Sequence, residues 1–121
     1  MISRLLTAVA FCASLMVASV GNAHSVLVSS DPVANTSVET GTHSLRLVFD
    51  SRVDPKRSRL YLSQPDGAKL TLVPEGGATK GTVTVQVELG AVGSYKLTYE
   101  VLSIDGHIAR GTLPFTVTEK K

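Results

Sequence analysis

Strict alternation of apolar and polar residues, in runs too short for helices, sets the strongest limit on what this chain can become. Val83, Val85, Val87 and Leu89 alternate with Thr84, Gln86 and Glu88. Tyr95, Leu97, Tyr99 and Val101 repeat the pattern, as do Leu113, Phe115 and Val117, and as do Leu45, Leu47 and Phe49 among Ser44, Arg46 and Val48. A period of two places alternate side chains on opposite faces, which predicts half-buried strands. Shorter apolar runs at 26–28, 60–62 and 70–73 lie between breaks at Ser30-Asp31-Pro32, Pro55, Pro65-Asp66-Gly67 and Pro74 with Gly76-Gly77. These breakers fix φ or supply turn geometry, so each ends a strand. About seven strands result, at the spacing of an antiparallel sandwich, and no stretch after residue 23 shows helical periodicity. The expected fold is all-β, a seven-stranded immunoglobulin-like or Greek-key β-sandwich.

The first 23 residues follow a different rule. Met1-Ile2-Ser3-Arg4 is a short positive start, and Leu5 to Val20 is apolar apart from Thr7, Ser14 and Ser19. Gly21-Asn22-Ala23 then supplies small residues where a signal peptidase needs them. The apolar run is shorter than the roughly 20 residues of a membrane span. Residues 1–23 are therefore expected to be a cleaved signal peptide, and residues 24–121 an exported, periplasmic domain that is not membrane-embedded.

Charge and sulfur content narrow the function. Twelve basic and ten acidic residues give a net charge of +2, without the basic block that phosphate neutralisation requires, so nucleic acid is not an expected partner. Cys12, Met1 and Met16 all fall within 1–23 and are the chain's whole complement of one cysteine and two methionines. The domain beginning at His24 can form no disulfide and offers no soft sulfur ligand. No Ser or Cys nucleophile is arranged with a base, which leaves hydrolysis without support.

Two of the three histidines are unusually placed. His24 becomes the first residue after cleavage, where its α-amine and Nδ1 form a ready chelate. His107 follows Asp105 and Gly106 between the last two strands, where a carboxylate and an imidazole can approach one ion. The set of three nitrogens and one oxygen suits tetragonal Cu(II). A plainer reading makes Asp105-Gly106 a hairpin turn and the histidines solvated. His43, in Gly41-Thr42-His43, reads as a solvated turn residue.

The stretch from Gly93 to His107, Gly93-Ser94-Tyr95-Lys96-Leu97-Thr98-Tyr99-Glu100-Val101-Leu102-Ser103-Ile104-Asp105-Gly106-His107, is followed by Gly111 and Phe115-Thr116-Val117. It resembles the Tyr-x-Val-x-Trp-x-Val-x-Ser-x-Asp-Gly-His signature of the CopC-type periplasmic copper-binding proteins. His24 with Ser29-Ser30-Asp31-Pro32, the strand Leu45 to Ser51, and Pro65-Asp66-Gly67 extend the likeness over nearly all of residues 24–121. Tyr99 stands where the family usually has Trp. The resemblance implies a sandwich that binds one Cu(II) through the His24 α-amine and side chain, Asp105 and His107. It further implies a role in copper resistance or homeostasis and an inner-membrane copper transporter as partner. The methionine-rich Cu(I) site of some members has no counterpart after residue 23. Two other readings share the residues: a copper monooxygenase-like redox enzyme with an N-terminal histidine, and a metal-free interaction module. Trp is absent and aromatic residues make up 5%, leaving little with which to hold a sugar chain, and Asp105 would fill the position that oxygen activation needs open.

Overall fold

The structure, a computed structural model, describes residues 26–121. The expected signal segment and His24 lie outside the described residues. Nine strands form in chain order: β1 (Leu27–Asp31), β2 (Ser37–Glu39), β3 (Gly41–Phe49), β4 (Val53–Ser63), β5 (Lys69–Leu72), β6 (Glu75–Gly76), β7 (Thr82–Leu89), β8 (Gly93–Ser103) and β9 (Ile108–Thr118). They build a four-stranded sheet, β1-β3-β7-β6, and a five-stranded sheet, β2-β9-β8-β4-β5. Pairing is antiparallel except between β2 and β9, which run parallel with Ser37 opposite Thr116.

The sandwich and its alternating strands agree with the sequence pattern. The two strands beyond the seven expected are β2 and β6, of three and two residues. Segments that short carry no readable period; they become strands because longer neighbours, β9 and β7, offer them backbone partners. Pro55, expected to end a strand, instead lies inside β4. Its position coincides with a break in the β4–β8 ladder between Asp54 and Arg59, the kind of irregularity where a missing N–H is tolerated.

Ser58 closes that break. It is fully buried, its hydroxyl donates to the Asp54 carbonyl at 2.7 Å, and its oxygen accepts the Leu102 N–H at 2.9 Å. One side chain thus replaces the ladder contacts that the irregularity removes. The sixteen apolar core residues come from both sheets, with Leu45, Leu47, Val83 and Leu89 facing Leu60, Leu62, Leu97 and Val101. Phe49 meets Tyr99 edge-on at 5.7 Å between ring centroids, and Tyr95 stacks on Phe115 at 5.5 Å. Each fully buried side chain of this size contributes about 1.5–3 kcal/mol.

His43 is a correction to the sequence reading: it lies in β3 and pairs with Val87 instead of occupying a turn. The eight residues of β7 draw the start of β3 back to Gly41, which pairs with Leu89. The His43 Nε2 sits 2.6 Å from the Glu39 carbonyl oxygen. Six residues at about 3.3 Å each separate it from the Phe49 end of β3.

Candidate metal centre

Asp105 and His107 occupy the short connection between β8 and β9. The backbone closes the turn twice: the Ser103 N–H donates to the His107 carbonyl at 2.8 Å, and the Gly106 N–H donates to the Ser103 carbonyl at 2.9 Å. Gly106 has φ +96°, a conformation that only glycine adopts without strain, so the residue between the two candidate ligands is set by the turn.

Within this turn one carboxylate oxygen organises the others. Asp105 Oδ1 accepts the Ser103 hydroxyl and, at 3.2 Å, the His107 N–H, and lies 3.1 Å from His107 Nδ1. The Ser103 hydroxyl also approaches the His107 carbonyl at 3.0 Å. Asp105 and His107 are each about half exposed, at 52% and 49%. Oδ2 of Asp105 makes no hydrogen bond among the described residues. A carboxylate against one imidazole nitrogen fixes the ring's orientation, the arrangement found behind many metal-bound histidines.

The Ser103 hydroxyl first, then the His107 backbone N–H and the His107 ring, hold the Asp105 carboxyl down at about 2, against an ordinary 3.8. The sign follows directly. An unfolded Asp protonates near 3.9, so the contribution of these hydrogen bonds is complete above about pH 4 and is lost as pH falls through 2. In the metal-free protein the Asp105 carboxyl carbon is expected to titrate near pH 2 by NMR. Ser103→Ala should raise that midpoint toward the ordinary value; an unchanged midpoint would show that Ser103 does not set it.

The connection is tied to the start of the described chain. The Val26 N–H donates to Asp50 Oδ1 at 2.8 Å, and the Asp50 N–H returns a bond to the Val26 carbonyl at 3.0 Å. Two residues on from Asp50, the Arg52 carbonyl accepts the Ile104 N–H at 3.1 Å. Val26, Asp50, Arg52 and Ile104 therefore form one continuous path to Asp105. Ser51, Arg52, Ser103, Ile104 and Asp105 line a hollow of about 320 Å³ on this path. Sequence reading missed the roles of Ser103, Asp50 and Arg52. Ser103 carried a signal, a hydroxyl two residues before an Asp-Gly turn; the partners of Asp50 are 24 residues away and leave no local trace.

Among the described residues no group of three or more His, Cys, Asp or Glu side chains could hold a metal. The structure thus brings two expected ligands together, Asp105 and His107, and does not bring His43 to them. His24, the third, lies outside the described residues.

Comparison with curated proteins gives no match. Among solved structures, the chain is 33% identical to CopC from Methylosinus trichosporium OB3b, over 81% of this chain and 97% of that one, with a TM-score of 0.73. It shares the fold of PcoC, a methionine-rich copper resistance protein from Escherichia coli, at 23% identity over 79% of this chain and 100% of that one, with a TM-score of 0.60. The CopC domain profile matches residues 27–118, from the first strand to the end of the last, and so the chain belongs to the CopC family.

Proposed function

We propose that this protein binds one Cu(II) and acts, after export to the periplasm, as a non-catalytic copper carrier or buffer in copper resistance. The observation that carries the reading is the Asp105–His107 pair, joined through Arg52 and Asp50 to Val26, the first described residue. Two donors fall short of a tetragonal Cu(II) set, which needs about four. His24 precedes Val26 by two residues, a reach of at most about 7 Å. Its amine and imidazole supply the missing nitrogens once the signal segment is removed.

In this reading His107 binds through the nitrogen that Asp105 does not engage, and Asp105 contributes both its hold on the ring and its uncommitted Oδ2. That second oxygen supports a carrier over a redox enzyme, because it fills a position that oxygen activation keeps open. The names of the solved relatives, a CopC and a copper resistance protein, support copper as the cargo. An inner-membrane copper transporter is the recipient that this role calls for.

The test is an electron paramagnetic resonance titration of protein beginning at His24. One equivalent of Cu(II) should give a single tetragonal, nitrogen-rich signal; several overlapping weak signals would defeat the proposal. His107→Ala and Asp105→Ala should each weaken Cu(II) by more than about tenfold, since even partners behind a ligand are worth 10–100-fold. The fold should survive, because both side chains are half exposed in a connecting turn. His43→Ala should leave affinity unchanged, and a larger loss there than in His107→Ala would move the site.

Cu(I) should bind far more weakly than Cu(II), because residues 24–121 contain no Cys or Met. A Cu(I)-specific chelator is expected to strip the reduced ion readily. Retention against a strong chelator would contradict this ligand set.

A further inference from the structure

A second hollow, of about 350 Å³, opens beside the metal loop and is lined by Arg52, Lys80, Thr79, Gly76, Gly77 and Ile104 among others, with no acidic residue in its wall. From its position and chemistry we infer that it binds a small dianion bearing carboxylate, sulfate or phosphate oxygens, and that Arg52 couples this anion to the metal loop.

The charges are the first argument. Elsewhere four cationic side chains of the described residues have partners and the rest stand apart on the surface: Arg57 meets Asp54, Arg110 meets Glu100, Arg59 donates to the Lys56 and Ser58 carbonyls, and Lys69 lies over the Tyr61 ring. Arg52 and Lys80 share one hollow and have no such partner. Carboxylates adjoining the lining segments are committed to other places, Asp54 among them, which meets Arg57 and accepts the Lys56 N–H. Glu75 lines a separate hollow with Ser44 and Gln86, Asp50 holds Val26, and Asp105 holds Ser103 and His107.

The backbone is the second argument. Carbonyls on the Gly76–Gly81 loop face the β3–β4 connection: the Lys80 carbonyl accepts the Val53 N–H at 3.0 Å and the Gly81 carbonyl accepts the Phe49 N–H at 2.8 Å. Gly81 permits this approach, since a Cβ there would lie 2.5 Å from the Phe49 carbonyl oxygen. Thr82, nearly fully buried, closes the loop through its N–H to the Thr79 carbonyl at 3.1 Å and its hydroxyl to that of Thr79 at 2.6 Å. The N–H groups of Ala78, Thr79 and Lys80 donate to nothing among the described residues. A pinned loop with unused amide donors, flanked by a guanidinium and an ammonium, is chemistry suited to an oxyanion. The volume is near the lower end of ligand pockets, roughly 300–1,000 Å³, which fits a small ligand.

The coupling follows from Arg52. It lines this hollow and the neighbouring one that contains Asp105, and its carbonyl holds Ile104. A dianion there lies beside a site that gains positive charge when Cu(II) binds. Each ligand should strengthen the other by the same factor, as linkage requires. This coupling rests on the copper reading above, whereas the anion site does not.

Isothermal titration calorimetry with sulfate and with malonate tests both parts. Metal-free protein beginning at His24 should bind at least one of the two anions saturably at one site. Arg52→Gln and Lys80→Gln should each weaken that binding at least tenfold. Lys56→Gln, an exposed cation outside the hollow, should leave it unchanged, and thermal melts should confirm that all three variants are folded. Absence of saturable binding by either anion, or an equal loss in Lys56→Gln, would overturn the anion site. Repeating the titration on Cu(II)-loaded protein should show tighter binding, and equal affinities would overturn the coupling.

Discussion

A protein that begins at Ala23 should bind Cu(II) more than about 100-fold more weakly than one that begins at His24, although every side chain of the proposed site is retained. Partners that merely orient a ligand are already worth 10–100-fold, and the added residue removes a ligand itself. In the longer protein the His24 nitrogen is an amide, so both the amine donor and its chelate ring with the imidazole are lost. The free α-amine has an ordinary pKa of about 7.7–8.0 and imidazole about 6.5. Copper must displace those protons, so the affinity of the His24-initiated protein should fall as pH drops through this range. The Ala23-initiated protein should show a shallower dependence, because it has no such amine to deprotonate at the site. A Cu(II) competition titration on both proteins at several pH values measures each effect. Equal affinities at neutral pH would remove the N-terminus from the site.

A large effect on the fold itself is expected from a single hydroxyl. Ser58→Ala should cost about 2–3 kcal/mol, because the Leu102 N–H and the Asp54 carbonyl both lose their partner in a buried setting. For a domain of this size that corresponds to a melting temperature lowered by on the order of 10–20 °C. Ser63→Ala, on the same strand but partly exposed and without a side-chain hydrogen bond among the described residues, should change stability by less than about 0.5 kcal/mol. Leu102 is one residue from Ser103, so the turn that holds Asp105 should also exchange its amide hydrogens faster in Ser58→Ala. Thermal melts that place Ser58→Ala and Ser63→Ala within a few degrees of each other would contradict this role.

These residues also show where sequence reading reaches its limit. The long strands β3, β7, β8 and β9 were legible because burial of one face leaves a period-two trace that needs no knowledge of the partner strand. The turn through Asp105, Gly106 and His107 was legible because Asp-Gly is a local turn signal; the proposal that its two side chains are ligands began from the same three positions. Ser58 was not: a buried serine looks like any strand serine until the gap it fills, 44 residues away, is known. Asp50 and Arg52 were missed for the same reason, since their value lies in Val26 and Ile104. His43 was misplaced because its local Gly41-Thr42 context suggests a turn, whereas the length of β7 decides that it is a strand residue. Local chemistry was readable, and contacts made only by tertiary pairing were not.

The parallel pairing of β2 with β9 has a consequence for how the molecule comes into being. Val38 finds its strand partner at Val117, 79 residues further along the chain. Until that stretch has left the ribosome, the outer strand of the five-stranded sheet has nothing to pair with. Polypeptides grow at about 5–20 residues per second, so the early part of the chain spends seconds without its final neighbour. Sandwiches dominated by such distant pairings then fold in roughly milliseconds to seconds. The five-stranded sheet therefore gains its β2 edge only once β9 is available, whatever the other strands have done before.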